Sequence, residues 1–168
     1  LAVVLGWPHY YIGGLRREAA AKRGLTLAEY NQLGENDPAT DREVDEYQRE
    51  LGKNEDNFVI EGRTSWYFIP HSLKIYLDVD EEEGARRIFS HLQQKNQRNE
   101  GDDLDSLQAV KAGLARRLLS DNLRYQKYYG IDVYRPENYD FYLNTTTLSP
   151  DQVFNQIYAF VRSRLDNR

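Results

Sequence analysis

The chain has 168 residues, of which 40% are hydrophobic and 29% are charged, a composition typical of one globular domain. It has no cysteine, which excludes a disulfide framework and thiolate chemistry, and its net charge of -5 argues against a general nucleic-acid-binding surface. No apolar run reaches the roughly 20 residues that a membrane span needs, so we expect a cytoplasmic protein without membrane contacts.

The N-terminal third predicts a short strand followed by helices. Leu1–Leu5 is typical of the last turns of a helix. His9–Ile12 predicts a strand, and Gly13-Gly14 predicts a tight turn directly after it. Three helices should follow, each with a recognisable start or stop. The first helix is expected over 15–24, and the second should begin at the capping box of Thr26 and Glu29. The third should extend from Asp37-Pro38 to Gly52, with the apolar stripe Val44, Tyr47 and Leu51.

The middle of the chain predicts two buried strands and an acidic helix start. Asn57–Ile60 and Leu73–Val79 are continuous apolar runs, as in the interior strands of a parallel sheet. The acidic run Asp80–Glu83 comes where the next helix should begin and extend to about Lys95. Because negative charge stabilises a helix N-terminus, this is a simpler explanation of the run than a metal site.

The C-terminal part predicts a joint, a long helix, a strand and a last helix. The joint is the polar, glycine-containing segment 96–103, and the long helical region covers Leu104–Tyr129. A strand is expected over Asp140–Asn144, and Ser149-Pro150 should open the last helix. The inward side chains of that helix should be those of Val153, Ile157, Phe160, Val161 and Leu165.

Strands separated by helices predict an α/β fold, a three-layer sandwich with a mainly parallel sheet. Ligands in such folds bind beyond the carboxyl ends of the strands. Three turns of the sequence fall at that edge: Gly13-Gly14 with the arginines after it, Glu61-Gly62-Arg63, and Asn144-Thr145. The histidines are scattered without metal-ligand spacing, so we expect them to be structural.

The chain has 16 arginines and 6 lysines, and the positions of the arginines carry more information than their number. Arg17 and Arg63 each follow a predicted strand, Arg117 and Arg124 share one face of the long helix, and Arg87 lies across the joint. A guanidinium pairs bidentately with phosphate, so this arrangement favours a polyphosphate site with a closing lid. The alternative is a set of surface salt bridges with neighbouring carboxylates.

Four segments occur in order along the chain: 16–45 (RREAAAKRGLTLAEYNQLGENDPATDREVD), 59–63 (VIEGR), 123–132 (LRYQKYYGID) and 144–150 (NTTTLSP). Together they resemble the small cytidylate kinases of the archaeal type, which are P-loop nucleoside monophosphate kinases. The resemblance implies one kinase domain over 1–168 with a helical lid. It implies acceptor-binding helices at about 15–53 and a lid at about 82–129.

The resemblance also implies a function and an acceptor site. The reaction would be transfer of the γ-phosphate of ATP to CMP or dCMP with Mg²⁺, by a monomer or weak dimer that binds nucleotides. By position, Gly13, Arg17 and Arg63 match residues that hold the phosphate of the acceptor. Asp41 and Asp45 match a segment that lines the acceptor pocket, where a carboxylate could accept a hydrogen bond from the cytosine amino group. An exposed helix face is the alternative for these aspartates.

On the donor side, the resemblance implies roles for a second set of residues. Arg117 and Arg124, together with Arg87, match lid arginines that neutralise the phosphate in transfer. Asn144 and Thr145 match the turn that passes near the ATP base.

Glu61 lies where related kinases place an acid near the magnesium ion and its waters. At other positions the sequence departs from the family pattern. Gly14 replaces the usual aspartate of the acceptor motif, His91 replaces a basic lid residue, and the 168 residues contain no G-x-x-x-x-G-K-[ST]. We therefore expect a first strand and phosphate loop of roughly 15 residues before Leu1. Three alternatives stay open: a catalytically impaired nucleotide-binding module of the same fold, a kinase for AMP or UMP, and an interaction domain without a site.

Overall fold

The computed structural model describes residues 1–93 and 104–166. Within these ranges, helices alternate with short strands. The helices are α1 (Ala2–Leu5), α2 (Ile12–Lys22), α3 (Leu27–Gly34), α4 (Ala39–Asn54), α5 (Ser65–Phe68), α6 (Glu81–Leu92), α7 (Leu107–Tyr129) and α8 (Pro150–Leu165). The strands are β1 (His9–Tyr11), β2 (Val59–Glu61), β3 (Ile75–Asp78) and β4 (Phe141–Asn144). None of the helices in the described ranges is long and apolar enough to span a membrane.

The strands form two parallel pairs. β1 lies beside β2 with Tyr11 opposite Glu61, and β3 lies beside β4 with Asp78 opposite Asn144. The parallel pairing and the alternation with helices confirm the predicted α/β class. The described residues do not form the single sheet that a three-layer sandwich requires, because no described strand joins β2 to β3. A groove of about 880 Å³ is instead lined by both of these strands.

The two middle strands are less buried than expected. Val59, Ile60 and Ile75 are half-buried, and Leu77 is 49% exposed. The physical reason is that β2 and β3 each have a pairing partner on one edge only within the described chain. The most completely buried apolar side chains lie on helices or loops instead. Those below 3% exposure are Ala20, Leu27, Tyr30, Ile69, Ala85, Val110 and Val133.

The tight turn predicted at Gly13 and Gly14 is wrong. α2 begins at Ile12, directly after β1, and both glycines are helical. Neither glycine has a positive φ. A Cβ atom on Gly13 would lie 2.9 Å from Cε2 of Tyr11, so the absence of a side chain allows the tyrosine ring to lie against the start of the helix.

The helix starts predicted from capping residues at Thr26 and Asp80 are confirmed. Thr26 and Glu29 form the predicted reciprocal capping box at the start of α3. Asp80 accepts hydrogen bonds from the backbone amides of Glu82 and Glu83, so the acidic run is a helix start. α7 begins later than expected, at Leu107, where the Ser106 side chain caps it. The predicted end of α6 at Lys95 and the joint 96–103 lie outside the described residues.

The buried faces of two helices differ from the apolar patterns. In α4, Val44 and Leu51 are buried as expected, but Tyr47 is 40% exposed and the polar Gln48 is fully buried. In α8, Val161 is buried, while the other predicted inward residues are half-buried. Three of the five, Ile157, Val161 and Leu165, line the groove beside β2 and β3.

Candidate active site

A buried cluster of alternating arginines and aspartates joins α2, α4, α7 and the loop after β2. Its members, in order of contact, are Arg16, Asp41, Arg124, Asp121 and Arg63. A charge removed from water is stabilised only when a partner and hydrogen bonds replace its hydration. The alternation supplies these partners and fixes four chain segments to one another.

Arg124 is the centre of this cluster and is fully buried. Its Nη1 atom donates to both carboxylate oxygens of Asp41, at 2.6 and 2.8 Å, and its Nη2 atom donates to Asp121 at 2.5 Å. Asp41 also accepts a 2.5 Å hydrogen bond from Arg16, whose Nε donates to the Asn31 side chain at 2.8 Å. In this conformation Arg124 therefore has no surface available to a ligand.

Arg63 is the most exposed member of the cluster. Its side chain is 37% exposed, and its Nη1 atom lies 3.0 Å from Oδ2 of Asp121. Tyr134 donates its hydroxyl to the same oxygen at 3.3 Å. A Cβ atom on the preceding Gly62 would lie 2.2 Å from Oγ of Ser65, so a larger residue would displace this hydroxyl from its hydrogen bond with Gln48.

The loop that carries Arg63 is also held from α4. Gln48 donates to the Thr64 hydroxyl at 3.3 Å and accepts from the Ser65 hydroxyl at 2.7 Å. All three side chains are buried. The residues next to Arg63 therefore have a fixed backbone, while the end of the arginine side chain faces the surface.

Arg17 lies near the start of α2, at the carboxyl end of the β1–β2 pair, where the loop of Arg63 also begins. Its Nη1 atom donates to the Tyr11 hydroxyl at 2.7 Å and to the Gly13 carbonyl at 3.1 Å. Because Tyr11 pairs with Glu61 in the sheet, the start of α2 and the loop of Arg63 are neighbours. Arg17 and Arg63 are both half-buried, so neither extends into bulk solvent.

Asp45 belongs to a second buried polar contact, near the end of α7. It is buried and accepts a hydrogen bond from the hydroxyl of Tyr129. Burial raises the pKa of Asp45 to about 6, although the Tyr129 hydrogen bond opposes the shift. The rings of Tyr67 and Phe68 pack against Tyr129. An exposed helix face, the alternative for Asp41 and Asp45, is thus wrong for both.

Arg87 connects α6 to the turn after β4. Its Nη2 atom donates to the carbonyl oxygens of Thr145 and Thr146, at 2.9 and 3.0 Å, and its Nε donates to Glu83 at 2.7 Å. In the same turn, the Asn144 amide donates to the Asp78 carboxylate at 3.0 Å. The structure therefore brings Arg87 together with the turn of Asn144 and Thr145.

Arg117 lies apart from Arg124 although both are on α7. It lines a cavity of about 450 Å³ whose walls come mainly from α3 and α7, with Gln32 and Glu35 on the opposite side. Arg117 therefore lies at this cavity, while Arg124, two turns further along α7, lies inside the ionic cluster.

Glu61 ends β2 and is largely exposed. Its Oε1 atom lies 2.8 Å from Nε2 of His9 on the neighbouring strand, so this histidine contacts a candidate functional residue. Within residues 1–93 and 104–166, no group of three or more His, Asp or Glu side chains could hold a metal ion.

The amino-acid sequence matches a known family along most of the chain. Residues 11–147 match the model of the cytidylate kinase-like family, a range that includes every member of the ionic cluster. The chain belongs to this family.

Similar proteins have the same family name. The chain is 35% identical to a cytidylate kinase of Pyrococcus furiosus, over 99% of this chain and 79% of the relative. It is 34% identical to a cytidylate kinase of Thermococcus kodakarensis over the same shares of the two chains. It is 30% identical to a cytidylate kinase of Methanobrevibacter smithii, over 91% of this chain and 83% of the relative. The resemblance to cytidylate kinases is confirmed.

In this cytidylate kinase-like chain, sequence reasoning missed several residues that contact the candidate site residues or the loop of Arg63. Asp121 was considered only as a partner in a surface salt bridge, whereas it is buried and pairs with Arg124, three residues later on the same helix face. Gln48 and Tyr129 were missed as well. The spacing of Asp41, Asp45 and Gln48 places all three on one side of α4, so a polar stripe at helical spacing was the available signal.

Proposed function

We propose that this protein is a nucleoside monophosphate kinase that transfers the γ-phosphoryl group of ATP to CMP or dCMP. The observation that carries the proposal is the ionic cluster around Arg124, which directs one partly exposed guanidinium, that of Arg63, to the surface within the family-matched residues. The relatives described above are named cytidylate kinases. Guanidinium groups beside strand ends provide the bidentate donors that a nucleotide phosphate requires.

On the acceptor side, Arg17 and Arg63 bind the phosphate of CMP, with Gly13 at the start of α2. Arg124 and Asp41 support Arg63 through Asp121. Asp45 is better suited than Asp41 to accept from the cytosine amino group, because both oxygens of Asp41 are already hydrogen-bonded to arginine. The hydrogen-bond partner of Asp45 is Tyr129, which belongs to segment 123–132 of the family resemblance.

During transfer, an oxygen of the acceptor phosphate attacks the γ-phosphorus of ATP, and the bond to the bridging oxygen of ADP breaks. The protein has to align these atoms and to spread positive charge around the group in motion. Arg117 and Arg87, on the two helices of the lid, supply that charge. Closure of the lid would also exclude water that otherwise hydrolyses ATP. Asn144 and Thr145 contact the ATP base.

Mg²⁺ fits the donor side as an ion held mainly by nucleotide phosphates and water. Mg²⁺ keeps several of its waters and takes few protein carboxylates, and Glu61 offers one such carboxylate at a strand end. When bound, the ion neutralises charge on the phosphate oxygens of ATP. Glu61 would orient a water bound to the ion, and His9, whose Nε2 atom lies 2.8 Å from Oε1 of Glu61, would hold this carboxylate in place.

A further strand and a phosphate loop complete the domain in this proposal. β2 and β3 each have one unpaired edge within the described chain, and both line the groove of about 880 Å³. The apolar part of its lining, which includes Ile60, Ile75 and Ile157, suits a strand that is buried on both faces. The match to the Pyrococcus furiosus relative covers 79% of that protein, which leaves length for such a segment.

A coupled assay of ADP release on the full-length protein tests the proposal, with CMP, dCMP, UMP and AMP as acceptors. We expect turnover with CMP and dCMP, and much less with UMP and AMP. Preference for UMP or AMP would indicate a different acceptor. Binding of CMP in a calorimeter without turnover of any acceptor would identify a catalytically impaired module.

The acceptor site has its own test in Arg63→Ala. Loss of this guanidinium should raise the KM for CMP about 10- to 100-fold, the range typical of a charge-assisted hydrogen bond. Arg135→Ala is the matched control, because Arg135 is an exposed arginine that pairs with Asp132 outside the ionic cluster. An unchanged KM for CMP in Arg63→Ala would remove Arg63 from the site.

A further inference from the structure

We infer that Asp121 is a positioning residue that fixes the direction of the Arg63 guanidinium before the acceptor nucleotide binds. The inference rests on the proposed function, in which Arg63 binds the acceptor phosphate. Asp121 lies on α7 and is 1% exposed, so it does not itself reach a ligand in this conformation.

Asp121 uses its two oxygens for different partners. Oδ1 accepts from Arg124 at 2.5 Å, while Oδ2 lies 3.0 Å from Arg63 and accepts from Tyr134 at 3.3 Å. Arg124 is in turn fixed by Asp41. Asp121 is therefore attached to a buried and rigid group, and it cannot follow a movement of Arg63.

Arg63 needs such an anchor because of its own surroundings. Its side chain is long, carries several rotatable bonds and is 37% exposed. A side chain that samples many directions loses that freedom when it binds phosphate, and the loss weakens binding. The Asp121 pair holds Nη1 and leaves the other edge of the guanidinium, Nε and Nη2, for the bidentate geometry that phosphate prefers.

Asp41 provides a matched comparison within the same cluster. Like Asp121, it is buried and connects Arg124 to a second arginine. The second arginine of Asp41 is Arg16, whose side chain is only 11% exposed. Loss of either aspartate leaves Arg124 with one carboxylate fewer, but only loss of Asp121 releases Arg63.

A double-mutant cycle on the full-length protein separates positioning from general support. The variants are Asp121→Asn, Asp41→Asn and Arg63→Ala, together with each aspartate variant combined with Arg63→Ala. The measurements are kcat, the KM for CMP and for ATP, and the thermal unfolding midpoint. We expect Asp121→Asn to raise the KM for CMP about tenfold, with kcat and the KM for ATP within about threefold of wild type.

In the Arg63→Ala background, addition of Asp121→Asn should change the KM for CMP by less than about twofold, because the group that it positions is absent. Addition of Asp41→Asn should have the same effect on that KM in both backgrounds. Equal effects of Asp121→Asn in the two backgrounds, or no effect in either, would overturn the inference. No turnover of CMP by the wild-type protein would overturn the proposed function and this inference with it.

If Asp121→Asn has no cooperative unfolding transition, Asp121→Glu replaces it in the same cycle. Glutamate keeps the buried charge beside Arg124 but displaces the carboxylate by one methylene. We expect a smaller rise in the KM for CMP, about three- to fivefold, that again disappears in the Arg63→Ala background. An unchanged KM in Asp121→Glu would contradict the inference.

Discussion

Arg87 donates a hydrogen bond of 2.9 Å to the backbone carbonyl oxygen of Thr145, and so fixes α6 to the turn after β4. The contact joins two elements that are 58 residues apart in the sequence. It also gives Arg87 a role in the shape of the turn after β4, besides the contact with phosphate that we propose.

We predict that Arg87→Ala lowers the free energy of unfolding by about 1–2 kcal/mol, because hydrogen bonds to a charged group are lost. The KM for ATP should rise about five- to tenfold as the turn loosens, with a smaller change in the KM for CMP. Chemical denaturation and steady-state kinetics check these values. Arg86→Ala is the control, since Arg86 is exposed and pairs with Glu83 on its own helix. Equal losses in the two variants would contradict the assigned role.

Gly13→Ala should separate stability from acceptor binding. The new Cβ would lie 2.9 Å from the Tyr11 ring, and this half-exposed ring can move toward solvent. Alanine favours the helix by about 1 kcal/mol, so unfolding should be as difficult as in wild type or slightly more so. Movement of the ring breaks the Tyr11–Arg17 hydrogen bond, and the KM for CMP should rise several-fold.

Tyr11→Phe is the companion variant, because it removes the hydroxyl and keeps the ring. It should raise the KM for CMP to a similar extent as Gly13→Ala. An unchanged KM in both variants would mean that the orientation of Arg17 does not depend on Tyr11.

Asp45→Asn should change the dependence of stability on pH. The pKa of Asp45 is raised to about 6 in the folded chain, and it is about 3.9 in an unfolded chain. The folded state therefore holds the proton more strongly, and wild-type stability due to this group falls as pH rises from 4 to 7. Asparagine cannot ionise and still accepts from Tyr129. The stability of the variant relative to wild type should increase by about 2 kcal/mol between pH 4 and pH 7.

Denaturant unfolding of both proteins at pH 4, 5, 6 and 7 measures this difference. Because the other titrating groups are common to the two proteins, their contributions cancel in the comparison. A constant difference across the range would show that Asp45 titrates at an ordinary pKa.

Arg124→Met tests whether this arginine supports the site or acts on the substrate. Methionine fills much of the space but leaves Asp41 and Asp121 without their shared cation. Breaking a buried ion pair from one side costs about 3–5 kcal/mol, so we expect a loss of this size in unfolding experiments. Arg117→Met, at the cavity, should cost less than about 1 kcal/mol and should lower kcat instead. A smaller loss of unfolding free energy in Arg124→Met than in Arg117→Met would contradict the supporting role of Arg124.

Several features of the fold follow from neighbouring residues and were predictable. The Thr26–Glu29 capping box and the Asp80 cap depend on side chains three residues or fewer from the amides that they bind. The strand at His9 was also predicted, but the turn predicted after it is wrong, because both glycines belong to α2 and their lack of a side chain makes room for the ring of Tyr11. In α4, the apolar pattern placed Tyr47 inside, whereas the polar residue Gln48 is buried by its hydrogen bonds to Thr64 and Ser65.

The sequence alone determined the order of helices and strands and their capping residues. It also determined the kinase-like motifs and the location of arginines after strands. Each of these features depends on contacts or patterns within a few residues. The tertiary structure decided which charges meet. Asp41 and Arg124 are 83 residues apart, and Asp121 on α7 pairs with Arg63 in the loop after β2. A buried ion selects its partner by proximity and by the exclusion of water, and only the packed chain creates these two conditions.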